Sequence, residues 1–111
     1  MRMLDKLLQG VEVRSLVGDG TVAVGRLEFD SRKVVPGTLF FATRGTQADG
    51  HAYIPAAAAA GAAAVVCEEL PAERPAGVTF VQVPDSTVAL GQVASAFYGH
   101  PSRRLKLGGV T

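Results

Sequence analysis

The amino-acid sequence predicts an α/β domain, a small three-layer or two-layer unit whose mixed, partly parallel sheet is flanked by helices. Three observations predict it. The runs Thr38-Leu39-Phe40-Phe41-Ala42, Ala64-Val65-Val66-Cys67 and Val78 to Val83 have strand length and are apolar on consecutive positions, as strands covered on both faces are. Segments with helical character stand between and after them, near 53–60 and 86–97. The resulting order of strand, loop, helix, strand, loop, strand and helix is a βαβ-type alternation, which implies parallel strands with helices on the sheet faces.

Taken from the start, Met3, Leu4, Leu7 and Leu8 recur at helical spacing and Gly10 is placed to end the segment, predicting a short amphipathic helix. Val11 to Leu16 and Thr21 to Phe29 read as two strands around the turn Gly18-Asp19-Gly20, the second alternating Val22, Val24 and Leu27. Pro36-Gly37 punctuates before the central strand at 38–42, and Arg44 to Gly50 is a polar loop with two glycines. The next helix runs from about Tyr53 to Ala60. Pro55 falls in its first turn, where a missing N–H costs little, and Gly61 falls at its C′ position. Its alanine run favours helix and leaves a thin face for close packing on a sheet. Leu70 to Gly77 is a surface loop, and Asp85 or Ser86 caps a helix whose stripe is Leu90, Val93, Ala94 and Phe97. Gly99-His100-Pro101 stops that helix, and Leu105-Lys106-Leu107 begins a last strand. A chain that stops on an apolar strand and two glycines predicts either an arbitrary boundary of the stretch or a crossing between domains.

Composition excludes several function classes. The 111 residues suit one domain, spanning 1–111, with 48% apolar and 19% charged residues, ordinary globular values. Eleven Lys and Arg against ten Asp and Glu leave a net charge of +1, so nothing favours a nucleic-acid or membrane-surface partner. The single cysteine, Cys67, forms no internal disulfide and suits a reducing cytoplasm. The first residues carry Arg2, Asp5 and Lys6 rather than a signal-peptide core, and no apolar run has transmembrane length.

Parallel sheets bind small ligands beyond the carboxyl ends of their strands. Two polar segments follow predicted strands: Asp30-Ser31-Arg32 after Phe29, and Arg44 to Gly50 after Ala42. Brought together they form one cleft offering the Ser31 hydroxyl, the Gln47 amide, the Arg32 cation and glycine-freed backbone N–H groups. That set suits a diphosphate and a planar heterocycle. The plainer reading of the same residues is a capped turn and an ordinary loop. Catalytic constellations are missing. His51 begins a helix, His100 sits in a surface turn, and Cys67 is a small core residue. Arg103, Arg104 and Lys106 form a solvated face, and Gly108-Gly109 carries no phosphate-loop pattern.

These segments also carry a resemblance. Asp30-Ser31-Arg32, Pro36-Gly37-Thr38-Leu39-Phe40-Phe41-Ala42 and Gly45-Thr46-Gln47-Ala48-Asp49-Gly50-His51-Ala52-Tyr53-Ile54 resemble the N-terminal domain of the Mur ligases. Gly61-Ala62, Ala64-Val65-Val66, Phe97 to Ser102 and Leu107 to Thr111 extend it over nearly the whole chain after Phe29. Gln47-Ala48 before Asp49-Gly50 is more similar to the MurE type than to the MurF type. The resemblance implies a cytoplasmic enzyme that adds the third residue, usually meso-diaminopimelate or L-lysine, to UDP-N-acetylmuramoyl-L-alanyl-D-glutamate. In that family ATP phosphorylates the substrate carboxylate and the incoming amine displaces phosphate. It further implies that this stretch holds the UDP end and is not itself catalytic, while ATP and Mg2+ belong to a following domain, into which residues from about 104 to 111 lead. By position, Phe29 would pack near the uracil ring, Ser31 would donate to the diphosphate or its neighbourhood, and Thr46, Gln47 and Ala48 would read base and ribose largely through backbone. Phe29 stands where a leucine is common, keeping an apolar wall; Thr46 stands where a histidine is common, removing an imidazole. The alternatives are a MurF-type N-terminal domain and a non-enzymatic α/β module that holds a protein partner.

Overall fold

The computed structural model describes residues 2–43, 50–72 and 77–98. In chain order the elements are β1 (Arg2–Met3), α1 (Leu4–Leu7), β2 (Ser15–Val17), β3 (Ala23–Val24), β4 (Arg26–Glu28), a 3-10 turn (Ser31–Lys33), β5 (Thr38–Phe41), a second 3-10 turn (Gly50–Tyr53), α2 (Ile54–Ala59), β6 (Ala64–Cys67), β7 (Thr79–Gln82) and α3 (Ser86–Phe97). The expected polar loop at 44–50 lies outside the described residues apart from Gly50, as do the helix stop at 99–101 and the strand from Leu105.

The main sheet has the order β2-β7-β6-β5-β4. β4, β5, β6 and β7 run parallel, and β2 joins β7 antiparallel, so the expected mixed, partly parallel sheet is present. Side chains alternate faces along a strand. On one face Leu39, Phe41, Ala64, Val66 and Val81 pack with Leu4 and Leu7 of α1 and Ala89 and Val93 of α3. On the other, Phe40, Val65, Cys67 and Phe80 pack with Ile54 and Ala57 of α2. The arrangement is therefore the three-layer form. Both phenylalanines of β5 are fully buried, which stabilises the fold by roughly 1.5–3 kcal/mol each relative to exposure. The alanine helix fits because only Ile54 and Ala57 of α2 are buried, and Gly61 just past it has φ +105. A Cβ there would lie 3.1 Å from the Pro36 Cα, so the smallest residue is needed where the two turns touch.

Two sequence expectations are corrected. The N-terminal helix is a single turn, because Met3 belongs to β1, which pairs with β3 in a small second sheet. The runs 11–16 and 21–29 do not flank a turn as paired neighbours. β2 and β4 occupy opposite edges of the main sheet, and Gly25 divides the second run between β3 and β4, which belong to different sheets. Alternating apolar residues fix which face of a strand is buried but carry no information about its partner, and here the pairing is set by long-range contacts with β7 and β5.

Candidate functional site

The four parallel strands end on one edge of the sheet, and the candidate site lies there, beyond β4 and β5. As β4 runs out, the Glu28 carboxylate accepts hydrogen bonds from the backbone N–H of Phe29 (3.1 Å) and Asp30 (3.3 Å), fixing the exit of the strand. Asp30 then caps the first 3-10 turn by accepting from the Arg32 backbone N–H at 3.0 Å. The same carboxylate is gripped by the Arg32 guanidinium, Nε at 3.1 Å and Nη2 at 3.0 Å. This two-pronged pair holds the Asp30 carboxyl below the ordinary carboxylate range. The Arg32 side-chain bond is the main cause and the Arg32 backbone N–H adds to it. Phe29 is left 63% exposed beside the turn.

The opposite wall comes from the end of β5. Gly50 donates its backbone N–H to the Thr43 carbonyl at 2.7 Å, so the ends of segment 44–49 are tied together. A Cβ on Gly50 would meet the Thr43 carbonyl oxygen at 2.7 Å and its nitrogen at 2.8 Å, so the backbones touch and only glycine fits. The second 3-10 turn is pinned from below by His51, whose Nε2 accepts from the backbone N–H of Glu68 (2.9 Å) and Glu69 (3.3 Å) at the end of β6. An accepting Nε2 places the imidazole proton on Nδ1. Glu68 in turn accepts from Ser86 N and Oγ, both at 3.0 Å, joining this edge to the start of α3.

Between these walls lies a hollow of about 560 Å³ lined by Phe29, Asp30, Ser31, Arg32, Thr43, Gly50 and Tyr53. Its size falls within the range of small-molecule sites. Phe29 and the 47% exposed Tyr53 offer apolar faces to a planar ring, while Ser31 and Arg32 offer donors to an anion. Arg32 has spare N–H groups beyond the two spent on Asp30, but the pair is neutral overall, so the hollow attracts an anion by donors more than by net charge.

Of the residues that the sequence singles out, Phe29, Ser31 and Arg32 meet in this hollow. Thr46, Gln47 and Ala48 lie outside the described residues, but the segment that contains them leaves from Thr43 and returns at Gly50, both on the rim. The sequence reading missed Tyr53 and Thr43. An aromatic just after a glycine-bearing polar loop is the signal that could have found Tyr53. His51 does begin a helical segment, though its ring serves as an acceptor for the neighbouring strand. Cys67 is a core residue, and burial pushes its thiol up to about 11, which leaves it inert. His100, Arg103, Arg104 and Lys106 lie outside the described residues. Among the described residues no three His, Cys, Asp or Glu side chains gather in a metal-binding group, and no helix is long and apolar enough to cross a membrane.

A mixed, largely parallel sheet carrying an apolar-walled, donor-lined hollow at its carboxyl edge is an α/β unit with the hollow where such folds commonly bind small ligands. A family model described as Mur ligase family, catalytic domain, matches residues 24–98, and the chain belongs to the Mur ligase family. It is 47% identical over 109 residues to the UDP-N-acetylmuramoyl-L-alanyl-D-glutamate–2,6-diaminopimelate ligase of Bacteroides thetaiotaomicron, covering 98% of this chain and 23% of that protein. It is 49% identical over 108 residues to the protein of the same name from Bacteroides fragilis, covering 97% and 22%. The chain thus spans less than a quarter of the length of the curated relatives it matches. Among solved structures, MurF from Acinetobacter baumannii superimposes with a TM-score of 0.70 at 22% identity, over 86% of this chain and 20% of that one, a likeness of fold.

Proposed function

We propose that this chain is the N-terminal, uridine-diphosphate-binding domain of a MurE-type ligase acting in the cytoplasm on the peptidoglycan precursor UDP-N-acetylmuramoyl-L-alanyl-D-glutamate. The amino acid added is 2,6-diaminopimelate, as the names of the relatives at 47–49% identity suggest. The observation that carries the reading is the hollow itself. It joins Phe29, Ser31 and Arg32 to both ends of the segment holding Thr46, Gln47 and Ala48. Phe29 and Tyr53 pack on the uracil, the Ser31 hydroxyl and the spare N–H groups of Arg32 donate to the diphosphate, and the backbone of 46–48 reads base and ribose. A site that matches uracil's donors and acceptors rejects cytosine by leaving polar groups unpaired.

We place ATP and Mg2+ outside this domain. The sequence contains no Gly-Lys-Ser/Thr, and the described residues gather no metal-binding group. They belong to the remainder of the ligase, which is the partner of this domain. The role of the domain is anchoring: binding energy gained at the uridine end positions a reacting carboxylate far from it. The solved MurF structures are 22–28% identical to this chain, well below the 47–49% of the relatives that carry the MurE-type name. The test is isothermal titration of the full-length ligase with UDP. Ser31→Ala is expected to weaken UDP about fivefold to tenfold, the worth of one hydrogen bond of about 1–1.4 kcal/mol, and to leave ATP affinity unchanged. Unaltered UDP affinity in this variant removes Ser31 from the site.

A further inference from the structure

β4 is an edge strand. It pairs with β5 on one side, and no described residue pairs with the other. Unprotected edges are ordinarily blunted by charge, a bulge or a covering element. The charges here are turned to local use, since Arg26 pairs with Glu28 at 3.3 Å and Glu28 also holds the backbone of Phe29 and Asp30. Beside this edge, towards the C-terminal half of α3, lies a second hollow of about 640 Å³ walled by the stretch from Gly25 to Phe29 on one side and by Leu90, Ala94 and Tyr98 on the other. Phe29 and Tyr98 are 63% and 65% exposed. Exposed aromatics around a depression of mixed polar and apolar lining, with Arg26 and Glu28 at its rim, have the make-up of an interface between domains.

The occupant follows from connectivity. The described chain leaves at Tyr98, itself a wall of the hollow, and more than three quarters of each relative lies outside the matched stretch. We infer that the hollow between β4 and α3 is the docking surface for the part of the ligase that follows Tyr98, which covers Phe29, Leu90 and Tyr98. This rests on the reading of the chain as one domain of a longer ligase. It has a consequence for binding, because Phe29 also walls the nucleotide hollow. A unit docked on one side of that ring fixes a wall of the other.

The test uses the full-length ligase with a single reporter thiol, placed by Tyr98→Cys or by Val88→Cys. Position 88 is on the same helix, is 54% exposed, and does not line this hollow. Peptide-resolved alkylation is expected to label position 98 at least tenfold more slowly than position 88. Adding Ala94→Arg, which pushes a charged side chain into the depression, is expected to bring the two rates together. Equal rates at the two positions without Ala94→Arg overturn the inference, and so does protection at 98 that vanishes on dilution, which would mark a second copy as the occupant. UDP titration of the same proteins separates the two proposals: slow labelling at 98 without UDP binding upholds the docking surface and refutes the nucleotide reading.

Discussion

Gly50→Ala is the sharpest probe of how the backbone builds the candidate site. The added methyl would meet three backbone atoms of neighbouring residues: the Thr43 carbonyl oxygen at 2.7 Å, the Thr43 nitrogen at 2.8 Å and the Ala42 carbonyl carbon at 3.1 Å. None is the far end of a flexible side chain, so the clash is relieved only by moving the chain. Overpacking of this kind costs about 1–3 kcal/mol. The movement that relieves it lengthens the 2.7 Å bond from Gly50 N–H to the Thr43 carbonyl, a further loss of about 1 kcal/mol. A destabilisation of about 2–4 kcal/mol is expected, equivalent to a fall in Tm of at least about 8 °C for a domain this size. Gly91→Ala supplies a control of opposite sign. Gly91 is an exposed position inside α3 with nothing within 4 Å of its would-be Cβ, so alanine gains up to about 1 kcal/mol of helix propensity. Urea denaturation of the wild type and both variants measures the difference, and UDP titration measures its effect on the hollow. A change under about 0.5 kcal/mol for Gly50→Ala would refute the close approach, and with it the placement of the rim.

His51→Leu leaves the backbone N–H groups of Glu68 and Glu69 without their imidazole acceptor and is expected to cost at least about 1 kcal/mol by urea denaturation, with His51→Gln recovering part of it. Cys67 is expected to resist Ellman's reagent at pH 8 in the folded protein and to react on unfolding, because burial raises its thiol to about 11; rapid reaction of the native protein would contradict its place in the core. Asp30 has a lowered folded pKa, so the stability it contributes is full above the ordinary carboxylate range and is lost as pH falls through the lowered folded value. Asp30→Asn is expected to flatten that acid limb of the stability profile, measured by thermal melts between pH 7 and 2.

How much of this was legible in the sequence depends on the range of the interactions involved. The central strands announced themselves, because Leu39-Phe40-Phe41 and Val65-Val66 are short, apolar on both faces and rich in aromatic or β-branched residues, as buried parallel strands are. Local chemistry was equally readable: Pro55 near the start of α2, Gly61 at its end and Asp85 accepting from the N–H groups of Thr87 and Val88 at the start of α3 are all short-range effects. Partner choice was not. Val11 to Phe29 looked like two strands around a turn, yet Leu16 lies opposite Val81 and Leu27 opposite Leu39, at the two far edges of the sheet. The candidate site divides in the same way. Ser31 and Arg32 were found because they follow a strand and Phe29 through the family resemblance, whereas Tyr53 was read only as the start of a helix, although its place just after a glycine-bearing polar loop was a usable signal.

The pairing of Arg32 with Asp30 changes what kind of site this is. A bare guanidinium, as the sequence alone suggests, would bind any phosphate and would make affinity strongly salt-dependent. With its Nε and one Nη donating to the Asp30 carboxylate, Arg32 is held in place by a partner three-quarters shielded from solvent, while its own side chain remains 87% exposed. Its remaining N–H groups are pre-oriented, and little rotamer entropy is lost when they meet an anion. On the proposed reading of the site, selectivity then rests on shape more than charge, on Phe29 and Tyr53 beside a ring and on the segment anchored between Thr43 and Gly50. Breaking the pair by Asp30→Asn tests this division of labour. It frees the cation, so inorganic pyrophosphate is expected to bind more tightly and with a steeper salt dependence. UDP is expected to lose affinity relative to pyrophosphate, because the turn presenting Ser31 loses its clamp. A variant in which both ligands strengthen equally would show that Arg32 acts as a simple cation and that Asp30 only tempers it.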